Sequence, residues 1–176
     1  MIKIGIISDS HKRSDVALEA IKILKRENVD ILIHAGDIVE LDTLKDMRNS
    51  HLPYVAIFGN NDEKLKKYSN EFWIYEEPHK FKFKNITFNL MHHPMYLAKD
   101  VDVNIYGHTH YFTAFSTQNI LYINPGEICA RKKPIHEFVL LECDDEKRFK
   151  IFKFEKAQAS TNWTKNEFVL DEHINV

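Results

Sequence analysis

The sequence predicts an α/β protein in which two mixed β-sheets form a sandwich flanked by α-helices. Its 176 residues are enough for one domain and leave little chain for a second core. Strands and helices alternate through the first third of the chain, which predicts a parallel βαβαβ unit. After Asp62 the pattern changes to a series of short strands, which would complete both sheets.

The βαβαβ unit is predicted from hydrophobic periodicity. The first strand, IKIGIIS, is short and rich in isoleucine, as expected of a strand buried on both faces. Ser14 is a candidate N-cap for the next helix, in which Ala17 and Ile21 recur on one face. The unit is completed by a strand in VDILIHAGD, a helix in ELDTLKDMRNS and a strand in PYVAIFGNND.

The rest of the chain is predicted to be rich in strands. The candidate strands are KFKFKN, ITFNLMHH, VDVNIYGHTH and ILYINPGE. The segment HEFVLLECDDEKRFKIFKFEK predicts two strands joined by a turn at Asp144 and Asp145. We therefore predict a domain over residues 1–156 and a polar C-terminal tail over residues 157–176, in which NEFVLDEH is a candidate short element.

Charge and hydropathy exclude two classes of partner. The formal net charge of -2 provides no overall positive field, so stable nucleic-acid binding is not expected. The apolar run Ile4–Ile7 is broken at once by Ser8 and Asp9, unlike the longer core of a secretory signal. No stretch approaches the roughly twenty apolar residues of a membrane span. A cytoplasmic protein without membrane contact is expected.

Polar side chains with nitrogen or oxygen donors follow five predicted strands. They are Asp9, His11, Asp37, Asn60, His92, His108 and His110. The carboxyl ends of strands in an α/β sheet line one edge, so these side chains are expected to converge. One Asp after a strand is usually a turn former or a helix cap, but donors at all five strand ends are hard to attribute to chance. Their chemistry suits Mn²⁺, Fe²⁺, Zn²⁺ or Ni²⁺ rather than Ca²⁺.

Seven donors exceed the needs of one tetrahedral ion. Two ions about 3.5 to 4 Å apart, bridged by one carboxylate, would use all of them. Such a pair would make a hydroxide available at neutral pH and would suit a phosphoryl group, whose oxygens gain charge during displacement. The sequence therefore predicts two divalent ions, with Mn²⁺ as the expected ion and Ni²⁺, Zn²⁺ and Fe²⁺ as alternatives.

These residues, in chain order, resemble the motifs of the calcineurin-like metallophosphoesterase superfamily. The matching segments are DSH from Asp9, GDIVE from Gly36, GNND from Gly59, His92, and GHTH from Gly107. The resemblance is closest to the small single-domain phosphodiesterases of bacteria and archaea, whose NPGE or NPGS motif is similar to Asn124–Glu127. It runs from Met1 to about Glu142 and implies the sandwich fold of that superfamily.

The resemblance also implies how the ligands divide. One ion would be held by Asp9, His11 and His110, the other by Asn60, His92 and His108, and Asp37 would bridge them. A bridging hydroxide would then attack the phosphorus of a small phosphodiester, including nucleotide-like compounds. His34 also fits the family pattern, but it lies inside its predicted strand and is expected to support ligands rather than bind metal.

Two positions depart from the family pattern. Many relatives have a histidine after the ligand asparagine that contacts the phosphoryl group and can protonate the leaving group, whereas this chain has Asn61. Asn61 is the predicted catalytic residue beside Asp37, and its amide can orient a phosphate oxygen without supplying a proton. His93 stands where relatives usually have glycine. Alternation at a strand end predicts that His93 points away from the site. The alternative is that it turns into the site, beside the ligands, and partly replaces the missing imidazole.

Three functions remain open at this point. The leading interpretation is a phosphodiesterase, and the first alternative is a phosphomonoesterase. The second alternative is a non-catalytic metal-binding or scaffold protein, because the same fold serves as a metal-free scaffold in eukaryotic retromer. Every ligand position is present here, which favours an enzyme. Related small enzymes are often oligomeric, so the resemblance leaves a homo-oligomer open.

Overall fold

The computed structural model describes residues 1–170, and its first part has the predicted alternation of strands and helices. The elements are β1 (Ile2–Ile7), α1 (Ser14–Arg26), β2 (Ile31–His34), α2 (Leu41–Asn49) and β3 (Tyr54–Ile57). Strand β1 pairs with β2, and β2 with β3, both in parallel. The predicted βαβαβ unit is therefore confirmed.

The second part is built from shorter strands, after a 3-10 helix over Glu63–Tyr68. The strands are β4 (Ile74–Tyr75), β5 (His79–Phe83), β6 (Ile86–Leu90), β7 (Val103–Ile105), β8 (Thr113–Thr117), β9 (Ile120–Asn124), β10 (Ile135–Cys143), β11 (Phe149–Ala157) and β12 (Thr164–Phe168). The sequence did not predict β4 or β8. Strand β4 has two residues, and β8 has no fully buried residue, so neither leaves a clear hydrophobic pattern.

Within residues 1–170 the strands form two sheets, both of which mix parallel and antiparallel pairs. The first has the order β12-β11-β10-β1-β2-β3-β4, and the second β5-β6-β7-β9-β8. The predicted architecture of two mixed sheets is confirmed. Strand β12 lies in the predicted polar tail and pairs with β11 at a sheet edge. Residues 171–176, which include the end of NEFVLDEH, lie outside the described residues.

The central strand β1 is buried on both faces. Ile4 and Ile6 point between the sheets, where they share a core with Phe88 of the second sheet. Ile7 faces the other way and packs in a separate core with Leu24 of α1. Successive side chains of a strand point to opposite faces, so β1 needs apolar residues at nearly every position. This double burial explains its isoleucine-rich sequence.

The predicted N-cap role of Ser14 is wrong. Ser14 is the first residue of α1, and Arg13 occupies the cap position without a side-chain hydrogen bond to the helix. The backbone N–H of Ser14 instead donates to Glu40 Oε2 over 3.2 Å. A carboxylate from the segment before α2 thus satisfies a free N–H at this helix terminus. A local capping pattern cannot reveal a contact between residues so far apart in sequence.

None of the helices within residues 1–170 combines the length and the apolar composition needed to cross a membrane.

Candidate metal centre

The seven predicted donors come together in one cluster, formed by loops that follow β1, β2, β3, β6 and β7. One half contains Asp9, His11, Asp37 and His110, whose potential ligand atoms all lie within 4.8 Å of one another. Asp9 Oδ1 is 3.3 Å from His110 Nε2, and Asp37 Oδ2 is 3.5 Å from His11 Nε2. All four side chains are buried or nearly so. The structure therefore assembles this half as the strand-end argument predicted.

The other half contains Asn60, His92 and His108. Asn60 Oδ1 lies 3.1 Å from both His92 Nε2 and His108 Nδ1. These two ring nitrogens are 3.3 Å apart. Three donor atoms thus meet at one point, although their residues come from three separate loops.

Asp37 joins the two halves. Its Oδ2 lies 3.5 Å from His11 Nε2 on one side and 3.5 Å from His92 Nε2 on the other. Asn61 holds the same carboxylate through two hydrogen bonds, from its backbone N–H to Oδ1 (2.9 Å) and from its side-chain Nδ2 to Oδ2 (2.7 Å). The two predicted catalytic residues are therefore in direct contact.

The residues of the cluster fit a divalent metal ion. Two of its buried atoms, Asp9 Oδ1 and His11 Nε2, have no hydrogen-bond partner among residues 1–170. Buried polar atoms are normally satisfied, so two buried atoms without a hydrogen-bond partner in one cluster fit a site for a cation. Imidazole nitrogen with carboxylate oxygen is also the donor set preferred by first-row divalent ions such as Mn²⁺, Fe²⁺, Ni²⁺ and Zn²⁺.

Most of the predicted ligands have a left-handed backbone, which is uncommon for residues other than glycine. They are Asp9 (φ 51°), His11 (φ 44°), Asp37 (φ 55°), His108 (φ 66°) and His110 (φ 66°). Such conformations are unfavourable and concentrate at functional sites, where the surrounding structure enforces them. Gly107 adds a steric requirement, because a Cβ there would lie 2.2 Å from Ser8 Oγ and 2.7 Å from the Ala35 carbonyl oxygen.

The charges in the cluster favour a bound cation. Burial raises the pKa of Asp9 to about 6, against the opposing positive charge of His92. Burial would lower the pKa of His92, but its hydrogen bond to Asp37 and the charge of Asp9 raise that pKa to about 9. Burial would also raise the pKa of Asp37, yet its hydrogen bonds hold that pKa below the usual range. The carboxylates thus draw positive charge into the cluster, which a divalent cation supplies without a proton.

His34 lies beneath the loop that carries the first two donors. Its side chain is completely buried, and its Nε2 is 3.0 Å from Ser10 Oγ, between Asp9 and His11 in the chain. Burial lowers the pKa of His34 to about 3, so the ring is neutral. This position is compatible with the predicted supporting role, which stays a prediction.

The expectation that His93 points away from the site is wrong. Its ring centroid lies 4.4 Å from that of His108, so the side chain stands beside a predicted ligand. Strand β6 ends at Leu90, and the alternation of side chains no longer applies three residues later. His93 Nδ1 is 2.5 Å from Glu77 Oε1, which fixes the orientation of the ring.

Two carboxylates that contact the site were not predicted as site residues. Glu77 Oε2 accepts the backbone N–H groups of His92 and His93 over 2.6 and 2.7 Å. Nothing in the sequence around Glu77 indicates this contact. Glu127 lies 2.5 Å from His110 Nδ1 through its Oε2. The NPGE motif includes Glu127 but does not predict its contact with His110.

The geometry agrees with an independent comparison, because a profile of the calcineurin-like phosphoesterase superfamily domain matches residues 2–146. The chain belongs to this superfamily. It is 36% identical to a phosphodiesterase of Methanocaldococcus jannaschii, and the match covers 73% of this chain and 85% of the relative. The predicted resemblance is confirmed.

Solved structures agree with this assignment. A structure described as a novel archaeal phosphodiesterase superposes with a TM-score of 0.73 at 33% identity, covering 85% of this chain and 98% of that one. Vps29 of Chaetomium thermophilum has a TM-score of 0.74 at 13% identity, covering 95% of each chain, which is a likeness of fold alone. By family this chain is therefore a hydrolase of phosphate esters.

Proposed function

We propose that this protein is a dinuclear metal-dependent phosphodiesterase that hydrolyses small phosphodiesters, including nucleotide-like compounds. The observation that carries the proposal is the central position of Asp37, whose Oδ2 is 3.5 Å from a ring nitrogen of each half of the cluster. Asp37 would bridge two ions. The first would be held by Asp9, His11 and His110, and the second by Asn60, His92 and His108. Mn²⁺ is the expected ion, with Ni²⁺, Zn²⁺ and Fe²⁺ as alternatives.

The chain supplies the positions and the metal supplies the reactivity. When bound, paired divalent ions provide a water-derived nucleophile near neutral pH and neutralise the phosphoryl oxygens. Asn61 holds the Asp37 carboxylate in place through its two hydrogen bonds. Asp9 and His110 are buried, whereas His108 is exposed. A phosphoryl group can therefore enter from the side of His108 and His93.

The loop after His93 favours a diester over a monoester. Met95, Tyr96 and Leu97 are 73%, 44% and 47% exposed, and the Met95 backbone N–H donates to the His93 carbonyl oxygen over 2.7 Å. An apolar surface thus begins two residues from a group that touches the metal ligands. A phosphodiester carries a second organic group that this surface can cover, whereas a phosphomonoester carries only one organic group. The net charge of -2 also favours a small substrate over a nucleic acid.

Hydrolysis of bis(p-nitrophenyl) phosphate tests the proposal. We expect metal-stripped protein to be inactive and Mn²⁺ to restore turnover. The Asp37→Ala variant should lose on the order of 10³-fold or more in kcat/KM, because both ions lose their shared carboxylate. Asp145→Ala is the matched control, since the Asp145 side chain is 99% exposed and far from the cluster in sequence. This variant should behave like the wild type.

Three results would contradict the proposal. A preference for p-nitrophenyl phosphate over the diester would indicate a phosphomonoesterase. Absence of turnover with Mn²⁺, Ni²⁺ and Zn²⁺ would indicate a binding or scaffold protein. Equal activity of the Asp37→Ala and wild-type proteins would show that Asp37 does not bridge two catalytic ions.

A further inference from the structure

Glu127 is completely buried, and it is not one of the predicted metal ligands. It follows strand β9, and its own backbone carbonyl accepts the N–H of Glu137 over 2.8 Å. A buried carboxylate is costly unless it is paired and hydrogen-bonded. The partners of its two oxygens therefore indicate what the residue does.

Both oxygens of Glu127 are surrounded by donors. Oε1 accepts the backbone N–H groups of Lys132 (2.8 Å) and Lys133 (2.9 Å). Oε2 accepts the backbone N–H of Arg131 (2.9 Å) and the thiol of Cys129 (3.1 Å). These four donors leave no place for a proton on the carboxyl group. Glu127 is therefore ionised and can only accept hydrogen bonds.

This environment determines the tautomer of His110. Its Nδ1 lies 2.5 Å from Glu127 Oε2, and a carboxylate that only accepts requires the proton on Nδ1. In the neutral imidazole, which is the form that binds a metal, the lone pair is then on Nε2, which faces Asp9 Oδ1 at 3.3 Å. Asp9 Oδ1 has no hydrogen-bond partner in the part of the chain that the structure describes. Two acceptors that face each other in this way leave a position for a cation between them.

We propose that Glu127 is a positioning residue that holds His110 as an Nε2 ligand and thereby sets the metal affinity of the site formed with Asp9 and His11. The inference rests on the proposed function, because it assumes that His110 binds a metal ion. A carboxylate that accepts the far N–H of a ligating histidine fixes the ring and increases its basicity. Through its hydrogen bonds, Glu127 also links His110 to the backbone of residues 131–133.

The Glu127→Gln substitution tests this role. The carboxylate of Glu127 accepts from the four donors named above and from the N–H of His110 Nδ1, and an amide cannot accept from all five. The fixed N–H groups of Lys132 and Lys133 favour the amide oxygen at the Oε1 position. The amide NH₂ then faces His110 Nδ1, which must become an acceptor and transfer its proton to Nε2. His110 Nε2 would then carry a proton and would have no lone pair with which to bind the metal. Glu137→Gln is the matched control, since Glu137 is equally buried but pairs with Lys133 and Lys153.

Two measurements on metal-stripped protein decide the proposal. Long-range ¹H–¹⁵N NMR reports the His110 tautomer, and calorimetric titration with Mn²⁺ reports affinity. We expect the Nδ1–H tautomer in the wild type and in Glu137→Gln, and the Nε2–H tautomer in Glu127→Gln. The Mn²⁺ affinity of the Glu127→Gln variant should fall about 10- to 100-fold.

Either of two outcomes would overturn the proposal. One is an Nε2–H tautomer in the wild type, which can be measured even when the Glu127→Gln variant does not fold. The other is a folded Glu127→Gln variant that keeps the Nδ1–H tautomer and the wild-type Mn²⁺ affinity. Neither readout depends on turnover, so an inactive protein with the expected tautomers and affinities would refute the phosphodiesterase and leave the role of Glu127 intact.

Discussion

His93 lies next to a predicted metal ligand, His108, but is not itself one of the predicted ligands. Its ring is 4.4 Å from the ring of His108, and Glu77 Oε1 fixes its orientation. Asn61 stands where the resemblance implies a histidine in many relatives, and its amide donates to Asp37 Oδ2. His93 is therefore an imidazole outside the predicted ligand set that lies beside two predicted ligands, His92 and His108.

We expect the His93→Ala variant to lose about 10-fold or more in kcat for diesters with a poor leaving group, because such esters depend most on hydrogen bonding to the departing oxygen. For bis(p-nitrophenyl) phosphate, whose leaving group is good, the loss should be smaller. Steady-state kinetics with an alkyl and a p-nitrophenyl ester of the same phosphate measure the difference.

His51→Asn serves as the control for this prediction. His51 is an exposed histidine with φ 60°, a conformation that asparagine tolerates. Equal kinetics of the His93→Ala and wild-type enzymes on the alkyl ester would remove His93 from the reaction.

The convergence of the seven candidate ligands was predictable at this scale, and the two carboxylates that contact them were not. Each of the seven donors follows a strand, and the strands are visible in the sequence. Glu77 and Glu127 reach the site from positions 15 and 17 residues away from their histidines. A lone glutamate in a loop has no periodicity, so only the fold reveals such contacts. His93 was misjudged because its strand ends earlier than the sequence indicated.

At the scale of elements, strands β6 and β7 carry two buried asparagines that shape the site. Asn89 and Asn104 are paired across the two strands, and Asn89 Nδ2 donates to Asn104 Oδ1 over 3.0 Å. Asn89 Nδ2 also donates to the Tyr96 carbonyl oxygen (2.8 Å). Asn104 accepts the Ala98 backbone N–H (2.9 Å) and donates to its carbonyl oxygen (2.9 Å). Side-chain amides thus hold the apolar loop that follows His93.

We expect the Asn104→Ala variant to raise KM for a diester and leave kcat unchanged, because the loop loses its anchor and the metal ligands do not. The free energy of unfolding should fall by about 1 to 3 kcal/mol, since the backbone groups of Ala98 lose their partners. Kinetics and urea unfolding of the same preparation give both values.

Asn166→Ala on the exposed strand β12 is the control and should change neither quantity. A fall in kcat with constant KM in Asn104→Ala would mean that the loop takes part in the chemical step.

The elements themselves were largely predictable from apolar runs. The amide pair was not, because the sequence does not show which way an asparagine inside a strand points.

At the scale of the whole molecule, α1 is tied to the last described elements of the chain. Glu19 Oε2 accepts hydrogen bonds from Trp163 Nε1 (3.0 Å) and Lys156 Nζ (2.5 Å). The Trp163 ring packs on Phe138 at 4.8 Å between centroids. Residue 163 lies beyond the predicted domain boundary at residue 156. Because Trp163 of the predicted tail packs on the core, a substitution at Trp163 can test whether the domain ends at residue 156.

We expect Trp163→Ala to lower the free energy of unfolding by about 1 to 3 kcal/mol, because a partly buried indole leaves the core formed with α1. Affinity for Mn²⁺ should stay the same, since Trp163 contacts none of the metal ligands described above. Urea denaturation and calorimetric titration measure the two quantities.

Val169→Ala is the matched control, because Val169 is 77% exposed. Unchanged stability of Trp163→Ala would support the sequence-based boundary at residue 156.

The overall architecture was predictable from the alternation of elements, whereas the contribution of residues 157–170 was not. Their sequence is polar, and only their position against α1 shows what they cover.

The place of β1 in the first sheet has a consequence for the order of events during synthesis. Strand β1 lies between β2 and β10, and its register pairs Ile2 with Cys143. The backbone N–H of Cys129 also donates to the Asp9 carbonyl oxygen over 3.1 Å. The segments that surround Asp9 are therefore synthesised more than a hundred residues after it. Because such long-range pairing is slow to form, we expect the candidate metal site to become complete only after the chain through Cys143 has been translated.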